Sequence, residues 1–427
     1  MLKTLRLEAA GLVKDGLHVV STLWKWLVLG CIVGLVVGAA ASLFGHTLIA
    51  VNNFRAAHPA IVLGLPFGGL VIAFLYQTFG KSDRGTNTVI ASIHSDVNLP
   101  FRMAPMIFLS TTITHLCGGS AGREGAALQL GGSIAGKMAR LMKLTENSTR
   151  LMILCGMSAG FSALFGTPLA AAVFAMEVVH VGVMHYSALV PCVTSAMIAH
   201  FVASGFKIPP EVFPITAVPE MTAPIFFGIV LFAAIVGAVS ILFCLILHHS
   251  DHIYQKFLKH PYLRIFIGGW LVVIFASIPG GGLYLGSGMG IIEEILHHGE
   301  TVPAAAFFIK MIFTALTLGA GFKGGEIVPS FTVGAAFGCA VASLVGLPME
   351  LVAACGMVGV FCGVTNSPIT SLLVAFELFG FEAMPYYLVT VAVSYLVSGH
   401  YSLYHEQRIT HSKSGMTLLH TDRTEVR

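Results

Sequence analysis

Gly118-Gly119-Ser120-Ala121-Gly122-Arg123-Glu124-Gly125 runs straight into an apolar stretch, Gly125–Met138, and the reading of the whole chain turns on that junction. Glycines permit a sharp turn and, having no side chain, let a ligand approach the backbone. A helix that opens after such a turn exposes its first N–H groups, and hydrocarbon offers them no partner. The helix dipole puts about half a positive charge at the same end, so an anion arriving there meets both donors and a favourable field. The segment therefore reads as an anion site at the start of a membrane helix.

Composition supports the membrane setting. Of 427 residues only 10% are charged, against roughly 25% in a soluble domain, while 56% are apolar. Runs suited to a hydrocarbon core of ~30 Å recur at Trp26–Phe44, Ile61–Tyr76, Tyr186–Val202, Ile225–Leu247 and Tyr386–Val397. The first is too long for a cleaved signal and no small-residue cleavage site closes it, so it reads as a retained span. The expectation is an all-α polytopic membrane protein forming a single membrane domain over 1–427.

A net charge of +3 is too small to suggest nucleic acid. Basic residues collect in Lys3, Arg6, Lys14 and Lys25, in Lys137, Arg140, Lys143 and Arg150, and in Arg408, Lys413, Arg423 and Arg427. The positive-inside rule places these segments, and both termini, in the cytoplasm of a cell-membrane protein, with 406–427 as a short tail. The eight cysteines are scattered without a CxxC pair, and the histidines gather at span ends without an HExxH pattern. Neither a metal site nor any other cofactor is expected.

The second half of the chain echoes the first. Phe161–Pro168 (FSALFGTP) matches Phe361–Pro368 (FCGVTNSP), and Phe174–Glu177 matches Val374–Glu377, both 200 positions on. Gly122-Arg123-Glu124 pairs with Gly324-Gly325-Glu326 at 202, and Gly85-Thr86-Asn87 with Gly286-Ser287-Gly288 at 201. These blocks define two repeats, 20–205 and 220–405, whose relative direction the sequence leaves open. Interrupted segments at corresponding places of two repeats are the usual pointer to a transporter's midplane site.

On this pairing Glu124 and Glu326 occupy equivalent helix starts. A carboxylate within a membrane segment is costly and so suggests function. One that rests on helix amides when ionised and leaves them when protonated makes a proton-linked gate for an anion path. Arg123 is available to balance its charge or to hold a structural partner elsewhere. The glycines also admit a plainer reading as helix-packing contacts, which the coincident repeat and carboxylates outweigh.

These residues resemble the CLC family of chloride channels and proton-coupled anion antiporters. Gly122-Arg123-Glu124-Gly125 is similar to the family's GREGP gate loop, Gly324–Pro329 to its GxFxP segment, Gly85-Thr86-Asn87 to GSGxP, and Tyr404 to its inner-gate tyrosine. The resemblance implies an inverted repeat of many short, tilted and interrupted helices, a homodimer with one pathway per subunit, and anion contacts from Thr86, Tyr404 and the amides around Gly325, Glu326 and Ile327. The segment after Tyr404 is too short for the nucleotide-binding pair of many members, which points to a prokaryotic source. Ala126 stands for the gate-loop proline, Glu326 for a usual apolar residue, and Val178 where chloride/proton antiporters carry an inner glutamate. That combination is similar to the fluoride/proton antiporter branch, although Val328 replaces an expected hydroxyl. Fluoride, small and strongly hydrated, needs more donors than chloride, and Asn87 and a protonated Glu326 would add two.

The expected function is thus proton-coupled antiport of a small inorganic anion, fluoride before chloride, with Glu124 and Glu326 handling protons. A passive chloride channel is the alternative within the family. From another class, Gly118–Gly122 and Gly156–Gly160 both match GxSxG, and a serine hydrolase would need His115 to reach Ser120.

Overall fold

The computed structural model describes residues 2–80, 83–95, 99–413, 415 and 418–421. The expected basic residues Arg423 and Arg427 lie outside the described residues. The first half contains helices α1 (Leu2–Ala57), α2 (Leu65–Phe79), α3 (Thr86–His94), α4 (Met103–Leu116), α5 (Glu124–Leu141), α6 (Glu146–Phe165), α7 (Pro168–Glu177) and α8 (Leu189–Gly205). The second contains α9 (Ala223–Phe257), α10 (Pro261–Ala276), α11 (Met289–Leu296), α12 (Ala306–Ala320), α13 (Ile327–Val345), α14 (Met349–Thr365), α15 (Pro368–Phe379) and α16 (Met384–Val397). A small sheet joins β1 (His180–Val181), parallel, to β2 (Arg408–His411), which pairs antiparallel with β3 (Leu418–Thr421). That sheet ties part of the 406–427 tail to the end of α7.

The FSALFGTP and FCGVTNSP blocks have a local explanation. Gly166 and Asn366 stop α6 and α14 in the left-handed conformation, at φ 79° and 57°. Thr167 and Ser367 then precede a proline that occupies the first turn of α7 and α15. Proline lacks an N–H and is harmless there, so the chain breaks one helix and starts the next within three residues.

Two reciprocal contacts relate the halves in opposite directions. Gly122 and Gly325 exchange N–H···O bonds of 2.7 Å each way in an antiparallel bridge. Glu177, at the end of α7, accepts from the Ile369 and Thr370 amides at the start of α15, at 3.1 and 2.8 Å. Glu377, at the end of α15, accepts from the Leu169 and Ala170 amides of α7, both at 2.9 Å. Each carboxylate meets the positive end of the other helix.

The caps also correct the register drawn from sequence. Gly85 and Gly288 cap α3 and α11, and Arg123 and Glu326 cap α5 and α13, in both cases 203 positions apart. Helix α14 has 17 residues where α6 has 20, and this loss of three restores the 200 spacing further on. Glu124 therefore corresponds to Ile327, and Glu326 corresponds to Arg123.

Apolar side chains fill the core and also cover much of the outside, unlike a water-soluble protein. Helices α5, α6, α13 and α14 form the centre, packed closely enough that a Cβ on Gly131 or Gly334 would lie 2.0 or 2.3 Å from the carbonyl of Gly156 or Gly356. The outer helices present Leu43, Phe74, Phe201, Leu231, Ile274 and Leu396 to the outside. Among the described residues six helices are long and apolar enough to cross a membrane, Asp15–Ala57 and Ala223–Phe257 among them. The predicted span Tyr386–Val397 falls in α16, whose 14 residues are fewer than the ~20 that cross perpendicular to the bilayer.

Candidate functional site

The breaks in α4–α5 and α12–α13 bring two helix starts together. The Gly122–Gly325 bridge fixes them, and Gly125 then packs so tightly that its added Cβ would stand 2.9 Å from Gly325 Cα. The same Cβ would lie 3.5 Å from both Glu326 Oε2 and Thr86 Oγ1. The contact with Gly325 is what requires glycine here, and it keeps the α5 backbone beside those two oxygens.

Beside this junction lies a cavity of about 120 Å3. Thr86, Asn87, Glu326 and Tyr404 line it, together with Gln129 and Lys323. Of the other residues expected at the anion, Gly325 stands behind the wall in the bridge, and Ile327 is fully buried at the first turn of α13. Gly85 caps α3 with φ 67°, a conformation that L side chains rarely adopt, and this turns Thr86 and Asn87 toward the cavity.

Hydrogen bonds decide what each wall residue offers. Gln129 Nε2 donates to Thr86 Oγ1 at 3.2 Å, so the Thr86 hydroxyl, already an acceptor, retains its own hydrogen for a ligand. Asn87 Oδ1 accepts from the Glu406 amide at 3.2 Å, which leaves the Nδ2 end to donate. Glu326 Oε2 has no hydrogen-bond partner among the described residues. Tyr404 is positioned from behind: Leu403 N donates to Val364 O at 2.9 Å, and Gln407 Nε2 donates to the carbonyls of Val178 and Thr365, each at 2.8 Å. The wall thus offers several donors and one half-buried carboxylate.

Glu124 has a different setting. It is fully buried and does not line the cavity. Its Oε2 accepts from the Arg123 amide at 3.1 Å, and its Oε1 lies 3.3 Å from Arg123 Nε. Arg123 in turn donates through Nη2 to Glu211 at 2.6 Å and to the Leu164 carbonyl at 3.4 Å. Both roles expected of Arg123 occur together: it balances Glu124 and holds a distant structural partner.

Several of these residues lie outside the sequence reading. Gln129 had a visible signal, a lone amide within the apolar run Ala126–Leu130. Glu211 had none, since it lies in the irregular connection between the halves. Lys310 is fully buried yet satisfied: its Nζ donates to Ser120 Oγ at 2.9 Å and to the carbonyls of Tyr284 and Gly286 at 3.0 and 2.8 Å. It ties the loop before α5 to the loop before α11. Ser120 is thereby committed to Lys310 and Thr314, while His115 Nε2 faces the Gly122 carbonyl at 3.5 Å rather than Ser120. The serine–histidine pair required by the hydrolase reading is not formed.

Residues 68–399 match the voltage gated chloride channel family. The chain belongs to that family. It is 36% identical to a chloride/fluoride channel protein of Pseudomonas syringae pv. tomato, over 91% of this chain and 87% of the relative. Among solved structures it is similar to a CLC-type fluoride/proton antiporter, with TM-score 0.88 and 32% identity over 91% of this chain and 98% of the other. A slow cyanobacterial Cl−/H+ antiporter shares the fold at TM-score 0.76, with 18% identity over 88% and 94%. The protein is therefore a multi-pass membrane protein of a family of anion channels and transporters rather than enzymes.

Proposed function

We propose that this CLC protein exchanges fluoride for protons, with Glu124 as the protonatable gate and Glu326 as a second proton-handling carboxylate inside the anion cavity. The observation that carries this reading is the convergence of Thr86, Asn87, Gln129, Glu326 and Tyr404 on one small cavity beside two abutting helix starts. A dense set of donors suits a small, strongly hydrated anion, because each water removed must be replaced. The similar solved structure, 32% identical, is named a fluoride/proton antiporter, and the name of the 36%-identical relative covers chloride and fluoride alike.

In the proposed cycle an anion rests against the Thr86 and Asn87 donors, Tyr404 and the amides near Gly325, Glu326 and Ile327. Ionised Glu124 stays on Arg123 and blocks the way from the opposite side. Protonation weakens its charge-assisted bonds to Arg123, which frees the side chain to swing and the anion to pass. Protonated Glu326 donates to the anion through the oxygen that now lacks a partner. Because Val178 carries no proton, Glu326 takes that duty.

The repeats 20–205 and 220–405, with the 406–427 tail, form one membrane domain in this scheme. The basic segments put both termini in the cytoplasm of the cell membrane, and the working unit is a homodimer with one pathway per subunit. Purified protein in liposomes loaded with fluoride or chloride, with pH recorded on the same samples, tests the proposal. Fluoride efflux faster than chloride, accompanied by proton movement, is expected; chloride efflux that moves no protons would instead establish the passive channel.

A further inference from the structure

Two acceptors in the wall of the Glu326 cavity have no donor. Glu326 Oε2 and Gln129 Oε1 are both buried without a hydrogen-bond partner among the described residues, and both side chains line that cavity. A buried acceptor left unsatisfied is costly. Two acceptors that share a small space cannot satisfy each other without a proton between them. Arg84, Lys323 and Tyr404 are the other titratable groups around the cavity. Arg84 reaches away to Glu406 at 3.4 Å, and Lys323 Nζ stands 4.3 Å over the Tyr76 ring. Ile327 and Val328, which follow Glu326 along α13, are apolar.

Three polar side chains gather on one turn of α5. Gly125 and Gln129 are four residues apart and share a helix face. A Cβ on Gly125 would lie 3.5 Å from both Glu326 Oε2 and Thr86 Oγ1, and Gln129 Nε2 donates to that same Thr86 oxygen at 3.2 Å. An amide has an acceptor end and a donor end of nearly the same shape, so half a turn about its last torsion exchanges them in place. With Nε2 toward Thr86, the hydroxyl oxygen accepts and its hydrogen points to the cavity. With Oε1 toward Thr86, the hydroxyl must donate to the amide and its hydrogen is withdrawn. Glu326 decides between the two: protonated it is a donor and favours Oε1 opposite it, ionised it only accepts and favours Nε2.

We propose that Gln129 is a positioning residue that turns with the protonation state of Glu326, and so lends the Thr86 hydrogen to the anion only while Glu326 carries its proton. In the empty, protonated cavity Glu326 donates to Gln129 Oε1, which satisfies both orphaned acceptors with one hydrogen. An ordered water between the two side chains passes on the same choice, accepting on one side and donating on the other. An arriving anion takes the Thr86 hydrogen, and Glu326 turns its own proton to the anion. When that proton leaves, Gln129 turns its Nε2 onto the carboxylate, Thr86 donates to Oε1, and the anion loses two donors at once. Proton and anion are thereby linked within the cavity itself, apart from the gate at Glu124.

This inference rests on the fluoride/proton exchange proposed above, and half-saturation measured against pH separates the two. Gln129→Leu removes both ends of the amide. In liposomes with both faces at one pH and the fluoride concentration varied, it should raise the half-saturating concentration about two- to tenfold at mildly acidic pH, the effect of one lost donor. At alkaline pH, where the Thr86 hydrogen is already withdrawn in the wild type, it should leave half-saturation unchanged. Thr86→Val should show the same pH signature, and the double variant should lose no more than either single one. Thr86→Val leaves Gln129 in place and carries the test where Gln129→Leu fails to fold. Equal losses at both pH values, the mark of a merely structural amide, would overturn the inference, as would additive losses or no loss in acid. A wild type that exchanges no fluoride for protons would instead remove the reading on which it rests.

Discussion

The two central helix starts share a backbone plan and differ in where the carboxylate sits. At α5 the cap is Arg123 and the acid, Glu124, is the first helical residue; at α13 the cap is the acid, Glu326, and the first helical residue is Ile327. A step of one residue rotates a helical side chain by about 100°. Glu124 consequently turns into protein and meets Arg123, while Glu326 opens into the cavity with one oxygen unpartnered. The comparison teaches that a twofold scaffold need not give twofold chemistry. In the proposed cycle one acid gates and the other exchanges protons beside the anion.

The largest effect is expected from removing the gate's charge. Glu124→Gln should cut proton movement per anion by about a hundredfold or more, read by recording pH and fluoride together in liposomes. Unchanged coupling would remove Glu124 from the mechanism. Glu326→Gln should lower proton flux by about tenfold while anion flux falls less. Full proton flux in that variant would mean that the two acids do not divide the work as proposed.

The close approach of the two starts can be broken directly. Gly125→Ala places a methyl 2.9 Å from Gly325 Cα, and overpacking of this kind costs about 1–3 kcal/mol. Thermal unfolding in detergent should fall accordingly, with loss of anion flux. The paired clamps offer a subtler comparison. Glu177→Ala strands two amides and the Thr370 hydroxyl, which donates at 2.6 Å, whereas Glu377→Ala strands two amides near an exposed Leu169. Each unmade buried bond costs about 1–3 kcal/mol, so Glu177→Ala should lower the unfolding temperature more. Equal losses would mean that water reaches both clamps alike. Smallest of all, Thr86→Val should weaken fluoride binding by about two- to tenfold, seen as a shift in half-saturation at constant proton coupling.

Much of this was legible in the sequence. Glycine before an apolar helix, a carboxylate at the junction and a repeated Gly/Asn–Thr/Ser–Pro break each have local causes, and the structure puts them at helix ends as expected. Glu124, Glu326, Thr86, Asn87 and Tyr404 all stood out as polar groups in apolar surroundings or through motif resemblance. The register was harder to read, because the three residues missing from α14 lie inside an otherwise matching helix and leave no local mark. That slip is what made Glu124 and Glu326 look equivalent. Side-chain direction was also hidden: Gln129 becomes significant only when α5 brings it to Thr86, and Lys310 only when α12 carries it to Ser120. Contacts between residues 43 and 190 positions apart depend on tertiary packing that periodicity does not encode.

The central claim is that anion and proton movement are one cycle gated by Glu124. Its most direct test is a thermodynamic one: wild-type liposomes given an outward fluoride gradient and no initial pH difference. The account predicts that fluoride leaving the vesicles drives protons inward against the pH difference it creates, and that Glu124→Gln releases fluoride without moving them. Fluoride efflux from the wild type that leaves the internal pH unchanged would contradict it.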